Sequence, residues 1–173
     1  MASEPRDQQP ASGLFPSLAH DHRGCVSAAL ERAETVCSAR DLRLTELRRR
    51  VLELVWGSHA PIGAYRLLEL LSTERGRAAP PTVYRALEFL TREGLVHRID
   101  SLNAYVGCKT PARTHQAYFL ICSRCGVAAE FDDQAVTGSL AAVATQAGFT
   151  VTARTVELSG LCGSCATAPA LSA

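Results

Sequence analysis

Two short cysteine pairs, Cys122-Ser-Arg-Cys125 and Cys162-Gly-Ser-Cys165, constrain this chain more than any other stretch. A C-x2-C spacing lets both thiolates turn toward one ion through a tight loop, and four thiolates close a tetrahedral shell around zinc. The pairs are separated by 36 residues, well beyond the roughly 15–20 residues of a compact ribbon, so a small folded unit has to lie between them. Gly126, Gly160 and Gly163 give the loops the backbone freedom such turns need. The plainer alternative is two unrelated pairs of buried or redox-active cysteines. A redox C-x-x-C belongs at a helix start after a strand, whereas these pairs run from strands into glycine turns.

The apolar fraction of 47% in 173 residues is enough for a real core and allows one domain, or two small ones sharing the metal staple. No apolar run reaches the length of a membrane span, and the first residues lack the pattern of a signal peptide. A cytoplasmic setting is therefore expected, where cysteines serve metals more often than disulfides. The net charge of +1 hides an uneven distribution, because the basic excess falls within residues 40–98 and is entirely arginine. That pattern suits phosphate recognition, and equally a solvated helical face.

Residues 1–24, rich in Pro, Ser and Gln, read as a disordered tail, with His20-Asp21-His22 at most a weak metal binder. Val26, Ala29, Leu30, Ala33, Val36 and Cys37 recur at helical spacing, which makes Cys37 a core residue; Cys25 is assigned nothing. Thr45 caps a second helix carrying Arg48, Arg49 and Arg50 near its start. Three arginines there oppose the helix macrodipole, so an anionic partner is expected close by. A third helix covers residues 64–73.

The stretch Pro80-Pro81-Thr82-Val83-Tyr84-Arg85-Ala86-Leu87 opens a fourth helix. Val83, Ala86, Leu87 and Leu90 form its apolar stripe, with Arg85 and Arg92 opposite and Thr82 and Tyr84 flanking. Alternating stretches at 96–100 and 103–107 then predict a hairpin. Three helices and a hairpin make a winged helix-turn-helix, whose last helix enters the major groove of DNA, although the same fold can serve protein contacts instead. Residues 117–121 and 127–131 read as strands around the first cysteine pair. A helix capped by Asp132 or Asp133 runs to Ala147, and an alternating strand is expected over 149–158. The expected fold class is α+β. Its units are a DNA-binding domain over 25–107, a hinge linker over 108–116, a dimerisation and metal-binding domain over 117–166, and a flexible end over 167–173.

A looser set lies between the halves: His97, Cys108, His115 and Glu130. Each has an ordinary explanation alone. If they converge, two imidazoles, a thiolate and a carboxylate form a four-ligand set suited to zinc; the thiolate disfavours manganese, and an all-nitrogen and oxygen set would suit iron better. The H-x-E and P-C-x-x-C signature of a zinc deaminase is missing.

Arg43-Leu-Thr45, the Pro-Pro-Thr-Val-Tyr-Arg-Ala-Leu stretch, Gly-Leu-Val-His97 and the two C-x2-C pairs, taken together over about residues 26–166, resemble the ferric uptake regulator family. Cys108 with His97, His115 and Glu130 is similar to that family's zinc uptake branch, and the His-rich run of its iron and peroxide sensors is absent at Thr114-His115-Gln116-Ala117. The resemblance implies a homodimeric transcriptional regulator that represses zinc-uptake genes and binds two-fold symmetric double-stranded DNA. It implies two zinc ions per chain: a structural one on Cys122, Cys125, Cys162 and Cys165, and a regulatory one on His97, Cys108, His115 and Glu130. By the same likeness Tyr84 and Arg85 read DNA, Tyr65 touches it from the preceding helix, and no enzymatic activity is expected. Thr82, Arg48 and Arg49 complete the expected DNA-binding set.

Overall fold

A computed structural model of the chain describes residues 14–15, 21–75, 79–112 and 115–168. Most of the expected tail, the segment 76–78, Arg113 and Thr114, and the final residues lie outside that set. The first helix, α1 (His22–Ala39), starts before its apolar stripe does, because the Asp21 carboxylate accepts the Arg23 N–H and caps it. Residues 22–24, expected in the tail, are thus its first turn. Ala29, Ala33, Val36 and Cys37 turn inward, so Cys37 is a core residue.

Helix α2 (Glu46–Trp56) is capped by Thr45, whose hydroxyl accepts the Arg48 N–H at 3.4 Å. A two-residue strand, β1 (Ile62–Gly63), leads into α3 (Ala64–Arg75) and then α4 (Pro80–Arg92). Along α4, Val83, Ala86, Leu87, Phe89 and Leu90 are buried and Thr82, Tyr84, Arg85 and Glu88 are exposed, as a 3.6-residue period demands. Leu67, Leu71, Leu52, Val51 and Val55 fill the space between the helices.

The wing is β2 (Val96–Ile99) and β3 (Ala104–Gly107), paired antiparallel, with β1 adding a third strand on the far side of β3. Asn103 takes φ 46° in the connecting turn. At the base of the wing, Gly107 lies flat against the indole of Trp56: a Cβ there would come within 2.1 Å of the ring. Only glycine lets β3 pass so close to α2, and that packing fixes where the next residue, Cys108, emerges.

The second sheet has the order β5-β4-β6, with β4 (Tyr118–Cys122), β5 (Ala128–Phe131) and β6 (Glu157–Gly160). β4 and β5 are antiparallel, and β6 returns parallel to β4 after α5 (Gln134–Gln146). The strand expected over 149–158 is shorter and later than its alternation suggested. β4 offers β6 only the register Phe119↔Glu157 to Cys122↔Gly160, and upstream of it the ladder is reduced to one bond, Phe119 N–H to the Val156 carbonyl. A short helix, α6 (Gly163–Thr167), ends the described chain. No helix among the described residues is long and apolar enough to cross a membrane.

Candidate metal centres and nucleic-acid face

The first cysteine pair sits in the β4–β5 turn. Cys122 ends β4, Cys125 follows in the turn, and Gly126 takes φ 73° to reverse the chain. The parallel pairing of β6 sets Gly160 opposite Cys122, so the residues after it deliver Cys162 and Cys165 alongside the first pair. Ser123 locks this junction by donating its N–H (2.8 Å) and hydroxyl (3.0 Å) to the Gly160 carbonyl. Arg124 reaches over to the carbonyls of Cys165 and Ala168 and fixes α6.

All four ligand atoms fall within 4.8 Å of one another, and Cys125 Sγ lies 3.8 Å from Cys162 Sγ. Tetrahedral zinc–thiolate bonds of about 2.3 Å give sulfur–sulfur edges of about 3.8 Å. The Cys125 and Cys162 backbone N–H groups point at Cys122 Sγ and lower its pKa to about 6, while burial pushes the Cys165 thiol up to about 12. Four sulfurs this close, with backbone donors aimed at one of them, fit a dication that replaces the protons.

The second set converges at the joint between the two sheets. His97 lies on β2 and Cys108 follows β3. His115 precedes β4 and Glu130 lies on β5, so each sheet contributes two residues. One carboxylate oxygen is the focus: Glu130 Oε1 is 3.3 Å from His97 Nε2, 2.5 Å from His115 Nε2 and 3.9 Å from Cys108 Sγ. Cys108 Sγ and His115 Nε2 are 3.7 Å apart, and all four ligand atoms lie within 4.8 Å. The other carboxylate oxygen accepts the Lys109 N–H at 3.0 Å, which orients Glu130 across the joint. Burial raises the Glu130 carboxyl, but the His97 imidazole beside it and the hydrogen bonds to the Lys109 N–H and His115 outweigh it and hold the pKa at about 2. The Cys108 thiol is pushed to about 12, first by burial and then by the Glu130 charge. Three donors crowded onto one oxygen, with a thiol unable to ionise alone, make a pocket that a cation satisfies better than protons do.

Arg85, Tyr84 and Thr82 project from the exposed face of α4, and Tyr65 stands 73% exposed on α3. The arginines of α2 are placed otherwise. Arg48 lies over the Phe89 ring at 3.5 Å and donates to the Arg43 carbonyl; Arg49 pairs with Glu34; Arg50 pairs with Glu53 and Glu74. Carboxylates on α1, α2 and α3 thus engage Arg49 and Arg50 in this structure, and none is paired with Arg48 among the described contacts. Arg92 points outward as Arg85 does, and its guanidinium pairs with Glu93 at 3.0 Å.

One further cluster was not expected from the sequence: His22, Cys25 and His59 bring their ligand atoms within 4.8 Å of each other. His22 and Cys25 are three apart on one helix, a spacing that could have flagged them; His59 is remote in sequence.

A winged helix joined to a small sheet lobe by a shared ligand cluster, with a four-cysteine staple in that lobe, defines a two-lobed metalloprotein of the helix-turn-helix class. The ferric uptake regulator family model matches residues 39–159. The chain belongs to that family. It is 40% identical over 137 residues to the zinc uptake regulation protein of Escherichia coli (strain K12), covering 79% of this chain and 80% of the relative. It is also similar to the structure of a zinc uptake regulator complexed with zinc and DNA, at 39% identity and a TM-score of 0.77, over 82% of this chain and 95% of that one. The crystal structure of holo XcZur is similar at 44% identity and a TM-score of 0.74, over 82% and 99%. The Campylobacter jejuni ferric uptake regulation protein is more distant, at 27% identity over 140 residues.

Proposed function

We propose that this chain is a zinc-responsive, DNA-binding transcriptional regulator, with zinc as corepressor and zinc-uptake genes as targets. Its two proposed ions per chain divide the work. Cys122, Cys125, Cys162 and Cys165 hold the structural one, and His97, Cys108, His115 and Glu130 hold the regulatory one. The observation that carries the reading is the convergence of His97 and Cys108 from the wing side and His115 from the second-sheet side on Glu130 Oε1. Zinc held by these four residues would tie His97 and Cys108 to Glu130 and so select one angle between the wing and the second sheet. If DNA accepts that same angle, zinc and DNA affinities are coupled.

A second copy of the chain completes the proposed unit. Helix α5 has no buried residue although its sequence is rich in Ala, Val and Leu; Leu140 and Val143 on it are exposed, as are Phe149 after it and Leu158 on β6. Apolar surface of that extent on so small a lobe favours self-association, and a two-fold dimer would set two α4 helices toward successive major grooves. Arg85, Tyr84, Thr82 and Tyr65 then face the duplex. Arg48 and Arg49 flank that face, and phosphate contact from them requires leaving Phe89 and Glu34. The donor set favours zinc over the iron- or peroxide-sensing alternative, because a thiolate is a softer ligand than ferrous iron or manganese sites ordinarily carry.

The test is selection from a pool of random duplexes at saturating zinc. Enrichment of one two-fold symmetric sequence, lost when zinc is chelated, is the expected result. No enrichment at any zinc concentration overturns the reading in favour of a protein-binding winged helix.

A further inference from the structure

We infer that His22, Cys25 and His59 form a third metal-binding site, for a borderline divalent ion of the zinc type, at the start of α1. His22 is the first residue of α1 and Cys25 follows one turn on, on the same face of the helix. His59 comes from the loop between α2 and β1. Cys25 Sγ is 4.0 Å from His59 Nε2, and the His22 and His59 rings are 4.7 Å apart, tilted by 46°. The three ligand atoms lie within 4.8 Å of one another, and all three residues are half-buried. Edges of a tetrahedral site built from imidazole and thiolate run about 3.3–3.8 Å, so modest side-chain rotation closes the set around an ion.

The donor chemistry is specific. Two imidazoles and one thiol repeat the nitrogen and sulfur donors of the His97–Cys108–His115 set, without the carboxylate. Such a set selects zinc over magnesium, calcium or manganese, which prefer oxygen. Three protein ligands leave the fourth position to water, and half-burial leaves a route in. As the sulfur–metal bond forms, the Cys25 thiol proton passes to solvent.

The site also has a mechanical connection. The His59 carbonyl accepts the Ala128 N–H at 3.1 Å, and Ala128 stands two residues before Glu130 on β5. An ion here ties the first turn of α1 to the loop that already touches the second sheet. It is therefore a clamp on the N-terminal turn of α1, separate from the four-cysteine staple and from the cluster at the joint.

The experiment is native mass spectrometry of the full-length chain titrated with zinc, for the parent, Cys25→Ser, His59→Ala and, as a reference, Cys108→Ser. The parent is expected to take up one ion more per chain than either Cys25→Ser or His59→Ala, while zinc-free melting temperatures of these variants stay near the parent's. Cys108→Ser, which probes the joint cluster, is expected to keep this ion. If the parent and His59→Ala bind equal numbers of ions, the third site does not exist, whatever the outcome at Cys108. If Cys25→Ser loses the ion only because it unfolds, His59→Ala on the loop still decides the matter: retention of the ion there overturns the proposal.

Discussion

His97 Nε2 on the wing lies 3.3 Å from Glu130 Oε1 on the second sheet, although residues 100–127 separate their strands in sequence. Two side chains from separately formed sheets meet at a buried joint, so the angle between those sheets and the state of this cluster are one variable.

That coupling has a protonic signature. The Cys108 thiol, raised to about 12 by burial and by Glu130, is protonated at neutral pH when no ion is bound, whereas the Glu130 carboxyl, at about 2, is already ionised. Occupation of the joint site therefore releases the Cys108 proton, and affinity there rises about tenfold per pH unit near neutrality. A chelator competition between pH 6.5 and 8 measures this; a flat profile would remove Cys108 from the ligand set.

Arg85 projects from the exposed face of α4 and forms no part of the helical core. Arg85→Ala is expected to weaken binding to the selected duplex by about 1–3 kcal/mol while leaving the metal content per chain unchanged. Fluorescence anisotropy beside metal analysis checks both. Parent-like affinity would remove Arg85 from the DNA-reading face.

A second link crosses between the sheets. The Glu157 carboxylate on β6 accepts the Asp100 N–H at 2.7 Å and the Ser101 N–H at 3.1 Å, holding the tip of the wing. Burial raises this carboxyl, yet the hydrogen bonds from Ser101 and Asp100 prevail and hold it below its ordinary value of 4.5. A group whose pKa is lowered by folding adds stability above its unfolded pKa and loses it as pH falls through the folded value. Glu157→Gln is expected to cost about 1–2 kcal/mol at pH 7, with the difference from the parent shrinking below pH 4.5. Melting curves from pH 7 to 3 test this. A deficit independent of pH would mean that packing, rather than charge, is what Glu157 contributes.

The elements that sequence made legible are those with a long period or a fixed spacing. The stripe of α4 and the C-x2-C pairs determine their own geometry, because a helix face and a two-residue loop leave few alternatives. What stayed hidden depends on partners remote in sequence. Strand β6 is set by the length of β4, not by its own alternation, and β1 and α6 are too short to leave a pattern. The α2 arginines read as awaiting an anion because Glu34 and Glu74, which engage Arg49 and Arg50, lie on other helices. His59 joins His22 and Cys25 only once α1 packs on α2. By contrast His97, Cys108, His115 and Glu130 were traceable as a set, since the hairpin and the first cysteine turn fix three of the four positions.

The most direct test of the joint as a switch compares duplex affinity at chelated and at saturating zinc for the parent and for Cys108→Ser, counting metal on the same samples. The parent is expected to tighten by roughly 5–150-fold with zinc, the range of ordinary allosteric coupling. Cys108→Ser is expected to keep the four-cysteine ion, lose the one at the joint, and bind the duplex equally weakly in both conditions. If Cys108→Ser tightens on DNA with zinc as the parent does, the ion at the joint is not what sets the angle between the lobes.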